Sequence, residues 1–296
     1  MPRAPKQTLT QAEVRKLISN HALDEHKDLI LKGLRKSVRL KAGEPVKRRL
    51  PVGTSKFGGE PDLSADTEWP TFNDRPLHFL AQLNLVDLPP RHIPTADLPR
   101  KGLLSFWYDT QGDRTWGARD IYSMRRYRVL YHTRQGTRRP FPEFDGQDLD
   151  EDHDFFFWRP FPERRVSLEP MWTLDEGVQK RFFDIAMNDG IEFLHHHTEF
   201  VQALEIGGHG MHSRLLGSFW DLHDGREDAA GHAARARKKK PKKRDHEQWR
   251  LLALFDSDRD VDEWTWGDEG QLGFWIRKED LNGRQFDRVC GGLLGC

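Results

Sequence analysis

The side chains best able to do chemistry in this sequence are its histidines and aspartates, and their spacing decides what they can do. The 14 histidines include His195-His196-His197, His209, His212 and His223. Three adjacent histidines cannot face one metal from a helix or a strand, because neighbours point apart. His209 and His212, three residues apart, could chelate, and His223 could add a third ligand to a zinc site of three or four donors. No His-Glu-x-x-His motif accompanies them. The simpler reading packs His212 beside a glycine turn and leaves the others in water. Asp256, Asp258, Asp260 and Asp262 alternate as calcium ligands do. Counted from Asp256, however, Val261 stands where an EF-hand loop needs glycine and Gly267 where it needs glutamate. A hairpin turn with solvated acids accounts for them more simply. Asp256 and Asp258 nevertheless stay, with His209 and His212, as weak metal-ligand candidates.

Covalent chemistry finds less support. No Gly-x-Ser-x-Gly elbow and no phosphate loop of the Gly-x-x-x-x-Gly-Lys-[Ser/Thr] type is present. Cys290 and Cys296 have no histidine motif beside them. Carboxylates are too numerous for counting to select a glycosidase pair. What stands out instead is a pair of glycine turns with polar neighbours. Gly58-Gly59 is followed by Glu60 and Asp62, and Gly217 is preceded by His212. Glycine permits positive φ and close backbone approach. Glu60, Asp62 and His212 are therefore the candidate ligand-binding groups, on the expectation that the two turns converge on one cleft. The rival reading makes both turns simple folding devices.

These groups must be positioned by a strand-rich body behind a short helical start. Thr10-Gln-Ala-Glu13 is a capping-box signature, with Val14, Leu17 and Ile18 following at helical spacing. A second helix is expected over about 24–36. Alternation of Leu77, Phe79, Ala81, Leu83 and Leu85 with His78, Gln82 and Asn84 predicts a strand with one face on a core. Further strands are expected at 102–109, 127–132, 249–255 and 271–276, and a helix within 174–187. Gly102-Leu-Leu-Ser-Phe-Trp107 matches Gly270-Gln-Leu-Gly-Phe-Trp275. Upstream, Phe79–Leu83 matches Leu251–Phe255, and Phe57-Gly58-Gly59 matches Leu216-Gly217-Ser218. Three matches in one order predict an internal duplication. The fold class is α+β: a β-rich single domain with duplicated strand units and short N-terminal helices. The expected division is a helical segment over 1–45, the β-rich domain over 46–289, and a tail over 290–296.

The 296 residues carry 47 basic and 47 acidic side chains, but not evenly. Eight of the ten residues in Arg235–Arg244 are basic, and without them the body holds 39 basic against 47 acidic groups. Pro241 forbids a continuous helix there, so 226–247 is expected as a mobile basic loop that folding does not need. Its counterpart is the acidic segment from Glu143 to Asp154. Charged residues make up 32% and mean hydropathy is −0.79. No apolar run reaches the ~18 residues of a membrane span, and no signal-peptide core is visible at the N-terminus. Two cysteines cannot staple a chain this long, so a reducing, cytoplasmic setting is expected, or a nuclear one in a eukaryote.

Phe57-Gly-Gly-Glu-Pro-Asp62, Glu68-Trp-Pro70 and Pro76–Leu85 resemble the opening signature of the YwqG-like family, a domain of unknown function. Leu98-Pro99-x-x-Gly102-Leu103-Leu104-x-Phe106, His212-x-x-Leu215-Leu216-Gly217, Asp256-Ser-Asp258, Trp266-Gly-Asp268 and Phe274–Leu281 continue it in order. The likeness covers about residues 50–289 and implies a β-rich α+β domain with no established activity. Three departures stand out. The basic run lies outside the family pattern, Ser218-Phe219 replaces the usual Tyr-Pro after Gly217, and the last seven residues do not read as a closing strand. The reading that follows is a non-catalytic binding or interaction module for an unknown protein or small molecule, without a cofactor. The alternatives are a metal-dependent hydrolase using the His/Asp groups, and a protein weakly bound to nucleic acid through Arg235–Arg244.

Overall fold

The computed structural model describes residues 9–90, 92–93, 97–110, 125–134, 136–143, 159–189, 191–205, 212–219, 227, 230–231, 233–234, 245–258, 261, 264–266 and 269–294. Helix α1 (Gln11–Asn20) starts at the capping box read from the sequence. The Thr10 amide donates to Glu13 Oε2 at 2.7 Å, and the Glu13 amide donates to Thr10 Oγ1 at 3.2 Å. Helix α2 (Lys27–Gly33) is shorter than expected, because strand β1 (Leu34–Pro45) begins immediately after it. Val38, Leu40 and Ala42 alternate with Arg39 and Lys41, a period of two that overrides any helical continuation. Residues 34–45 therefore belong to the main sheet, not to an N-terminal helical segment.

Among the described residues ten strands form one antiparallel sheet. Besides β1 it holds β2 (Lys56–Phe57), β6 (His78–Asn84), β7 (Leu103–Tyr108), β8 (Tyr127–His132) and β10 (Arg164–Leu174). After helices α3 (Glu176–Asp189) and α4 (Ile191–Leu204) it adds β11 (Arg214–Leu216), β12 (Trp249–Asp256), β13 (Gln271–Arg277) and β14 (Cys290–Leu294). The order is β14-β13-β12-β11-β1-β10-β2-β6-β7-β8. Small pairs made by β3 (Asp62–Leu63) with β9 (Thr137–Arg138), and by β4 (Thr71–Phe72) with β5 (Arg75–Pro76), lie beside it.

The register around the centre repeats itself. Lys41 faces Ser167, flanked by Leu40 opposite Leu168 and Ala42 opposite Val166. Outward on one side Lys56 pairs with Gln82 and Phe57 with Ala81; on the other Arg214 pairs with Leu254 and Leu215 with Ala253. β6 on β7 is irregular between Phe79 and Ala81, and β12 on β13 between Leu251 and Ala253. Trp107 lies opposite Phe79 and Trp275 opposite Leu251. This register aligns the glycine turns one residue away from the sequence match: Gly58 corresponds to Leu216 (φ 59° and 56°) and Gly59 to Gly217 (φ 69° and 84°).

The two arms curl toward each other around an aromatic core. Phe106 meets Phe255 at 5.2 Å and Phe274 at 5.4 Å between ring centroids. The outermost strands touch, with the Tyr127 ring of β8 seated on Gly291 of β14. Trp107, Trp249, Trp264 and Trp266 are buried, as are Ala230 and Ala233, which pack with Trp249, Leu254 and Trp275. Two expectations are corrected here. Residues 290–294 are a buried strand, not a tail, because Cys290, Gly291 and Gly292 are small enough to lie against β13 and the opposite arm. The stretch before the basic run is partly helical and packed through Ala230, Ala233 and Ala234, while 235–244 and most of the acidic segment from Glu143 to Asp154 lie outside the described residues. Helices α1–α4 bury a separate cluster, Val14, Ile18, Ile30, Phe182, Phe200 and Leu204 among them, against Leu174.

A methyl group at position 291 would enter the Tyr127 ring. Gly291→Ala is expected to lower stability by about 1–3 kcal/mol through overpacking, read as a lower urea midpoint at unchanged m-value.

Candidate functional site

The polar face of β6 is not a water-facing surface. His78, Gln82 and the neighbouring Lys56 are buried, with exposures of 1%, 0% and 0%. A buried ammonium needs a carboxylate and further acceptors. Lys56 Nζ donates to Glu163 Oε1 at 2.6 Å and to the Glu60 carbonyl at 2.6 Å. Burial pulls its pKa below the ordinary lysine value, and the Glu163 carboxylate opposes that pull. Glu163 also accepts from the Leu50 amide at 3.0 Å. Asp62 accepts at Oδ2 from the Gly53 amide at 2.7 Å and from Gln82 Nε2 at 2.6 Å, while its Oδ1 faces Arg138 Nε at 3.4 Å. Asp62 is thus a strut between the Gly53 turn, β6 and β9. The Glu60 side chain turns outward to Arg49 at 3.2 Å.

The corresponding positions of the other arm hold a different polar set. Arg214 makes a two-pronged bond to Glu205, at 2.8 and 3.1 Å. The Ser213 hydroxyl accepts from the Asp256 amide at 2.9 Å, as the Ser55 hydroxyl accepts from the Asn84 amide at 2.9 Å. Asp256 accepts from Gln271 Nε2 at 3.0 Å, yet burial pushes its carboxyl up to about 6. His212 is pulled down to about 4, by burial first and then by the Arg39 and Arg214 charges. Asp258, half-buried, is paired with Arg164 at 2.6 Å. Among the described residues no three His, Cys, Asp or Glu side chains come together as a metal would require. His209 lies outside them.

The two glycine turns do not converge. β2 pairs antiparallel to β10, β10 to β1, and β1 to β11, so β2 and β11 run in opposite directions. Their C-terminal turns consequently lie at opposite ends of the sheet. Asp62 and Glu60 share one network, and His212 is not part of it.

An open space instead lies against the turn that follows β8 and leads into β9. A cavity of about 860 Å³ runs between Ser64–Thr67 and Leu130–Thr137. A smaller one of about 220 Å³ shares His132, Thr133, Arg134 and Gly136 with it and reaches Asp62 and Asn84. Two close approaches build this wall. Gly136 lies on the Leu63 carbonyl, where no Cβ fits, and a Cβ on Gly102 would stand 2.6 Å from the His132 carbonyl oxygen. Burial pulls the His132 pKa below its ordinary value, and Asp66 opposes this. His132 Nε2 is buried and makes no hydrogen bond among the described residues. The Ser64 hydroxyl lies 2.6 Å from that of Thr67. Such a set offers donors, acceptors and one guanidinium, but no hydroxyl held against a base. A hydroxyl–imidazole pair does occur at Thr110 Oγ1 and His78 Nδ1, 2.6 Å apart, with His78 Nε2 donating to the Arg159 carbonyl at 2.8 Å. Both residues are 1% exposed, which closes that pair to a substrate. His132, Arg134, Gln82, Lys56 and Glu163 were not singled out from sequence. The polar residues inside the β6 alternation were the one available sign.

Two outcomes follow. Asp62→Ala removes the acceptor of the Gly53 amide and of one Gln82 N–H and the charge facing Arg138 Nε, and is expected to cost about 3 kcal/mol, measured by urea unfolding. Asp256 has a raised native pKa, so the native state binds its proton more tightly than the unfolded chain. Its contribution to stability falls as pH rises from the ordinary 3.8 through about 6. Asp256→Asn is expected to gain about 2 kcal/mol at pH 7 and little at pH 4, read as a melting-temperature difference that grows across that window.

Comparison with curated proteins finds no match. A family profile described as Domain of unknown function (DUF1963) matches residues 55–293. The match opens just before β2, closes inside β14 and takes in both arms, with β1 and the first two helices outside it. On that extent the chain belongs to the family described as Domain of unknown function (DUF1963).

Proposed function

We propose that this chain is a non-catalytic binding module whose ligand, a small polar molecule, occupies the cavity beside the turn that follows β8. The observation that carries the reading is a cavity of about 860 Å³ whose wall brings together the Ser64 and Thr67 hydroxyls, His132, Thr133 and Arg134. Volumes of roughly 300–1,000 Å³ with a few convergent polar groups are typical of small-molecule sites. The finer likeness to YwqG-like proteins, a cytoplasmic setting, and descent of the two arms from one duplicated unit belong to the same proposal. The repeated irregularity at Phe79/Ala81 and Leu251/Ala253, with Ser55 and Ser213 in equivalent bonds, supports the last. No helix among the described residues is long and apolar enough to cross a membrane.

The test fills the cavity without touching the buried network. Thr133 is exposed in the turn after β8, so Thr133→Trp should fold with an unchanged melting curve. Purified chain is mixed with a small-molecule extract of its own cells, ultrafiltered, and the retained compounds are identified by mass spectrometry. The expected result is a compound retained by the wild type and lost, at least tenfold, by Thr133→Trp. Equal retention by both proteins would remove the cavity as the site.

A further inference from the structure

We propose that the helical layer is an acid-released element: protonation of His197 on α4 undocks α1–α4 from the end of the β1–β10 pair while the sheet stays folded. The inference is independent of the cavity. It takes up the run His195-His196-His197, which no metal or catalytic reading absorbs. On α4 the three side chains point apart, as helical neighbours must. His195 is exposed, His196 half-buried and His197 buried. The His197 ring meets Phe182 of α3 at 5.0 Å between centroids. His26, in the turn before α2, meets the same Phe182 ring at 5.2 Å and Phe193 of α4 at 5.5 Å. His21, just after α1, meets Phe200 of α4 at 6.3 Å. Imidazole–phenyl contacts thus join the helices to one another, within a cluster separate from that of the sheet interior. The helical cluster reaches the sheet through Leu34, Trp172 and Leu174.

A neutral imidazole tolerates this place and a charged one does not. Protonation puts a donor on both ring nitrogens. His197 Nε2 is buried and has no hydrogen-bond partner among the described residues. No carboxylate waits for the charge either. From α3 the facing group is the Phe182 ring, while Lys180, Arg181 and Asp184 are exposed. The charged residues of α1, Glu13, Arg15 and Lys16, are exposed too. The turn before α2 brings His21, His26 and the half-buried Lys27, with Asp24, Glu25 and Asp28 exposed. On α4 itself Glu199 is exposed and lies 3.6 Å from His21, and Glu205 beyond the helix is committed to Arg214. β10 offers Trp172 and Leu174, which carry no charge. Burial accordingly pulls His197 from the ordinary 6.5 down to about 4. As pH falls through 6.5 the undocked form takes up the proton and the docked form does not, so docking weakens until about pH 4 and then levels off. At pH 5 the docking equilibrium is expected to be about 30-fold weaker than at pH 7.5. His212 is held as low, but it lies beside β11, so its acid penalty falls on the sheet.

The test is hydrogen exchange of the full chain at pH 7.5 and pH 5, read by mass spectrometry and corrected for the pH dependence of the intrinsic exchange rate. Protection of the α1 and α4 amides is expected to fall at least tenfold at pH 5, and that of β7 and β12 much less. In His197→Gln and His197→Phe, whose side chains are neutral at both pH values, the fall in α1 and α4 should shrink below threefold. His196→Gln, one position away on the same helix, should respond as the wild type does. Protection of α1 and α4 that holds at pH 5 in the wild type, or that falls in step with β7 and β12, overturns the proposal. So does a tenfold fall that persists in the His197 variants, or one that disappears in His196→Gln. Failure of both His197 variants to dock the layer at pH 7.5 overturns it as well, because neutrality would then not be what holds the layer in place.

Discussion

The pairing of β1 with β10 is the constraint on which the rest depends. These are the two longest strands, of 12 and 11 residues, and each carries one arm of the sheet on its outer edge. With side chains alternating at a period of two, a slip of one residue would turn every inward group outward. Lys41 opposite Ser167 fixes which of Val38, Leu40, Val166 and Leu168 reach the common core. Through β2 and β11 the same register fixes where Lys56 and Arg214 fall. Both are cations on a buried face, and both find a glutamate: Glu163 in one arm, Glu205 in the other. Breaking such a pair leaves an uncompensated charge inside, which makes the register self-enforcing.

From there the arms diverge in what they do with the same positions. Where the first arm has Asn84, the second has Asp256, and each takes its amide bond to a serine hydroxyl. The neutral amide of Asn84 lets the loop at Gly53 settle beside it, through a bond of 2.8 Å from Asn84 Nδ2 to the Gly53 carbonyl. That loop, the Asp62 strut and the turn after β8 line the smaller cavity. In the second arm a carboxylate occupies the site, Gln271 covers it, and a Cβ on Gly270 would collide with the Leu294 carbonyl.

Strands β6, β7, β8, β12 and β13 are legible in the sequence because each is a short, largely apolar run bounded by turn residues. The N-terminal capping box is legible for the same local reason. β1 and β10 are not. Leu34-Arg-Lys-Ser-Val-Arg-Leu-Lys-Ala is too basic to resemble a central strand, and its burial comes from neighbours that lie far away along the chain. Cys290-Gly-Gly-Leu-Leu294 is too poor in β-branched residues to read as a strand, and it is small because Tyr127 sits on it. The site divides the same way. Glu60 and Asp62 stand out as acids beside glycines, yet their work is structural. His132 and Arg134 carry no motif, since what distinguishes them is a place on a cavity wall built from segments distant in the chain, and such a place has no sequence signature.

The placement of β1 also sets a timetable. Its neighbours are β10 and β11, so Leu34 pairs with Leu174 and Val38 with Leu215. On a ribosome adding about 5–20 residues per second, the strand that will become the centre of the sheet leaves the exit tunnel many seconds before either partner exists. Both its edges are open during that interval. The basic side chains Arg35, Lys36, Arg39 and Lys41, which hide the strand from a reader of the sequence, are the kind of residue that discourages an open edge from pairing with a stranger. They guard the strand during synthesis until the second half of the chain arrives to enclose it.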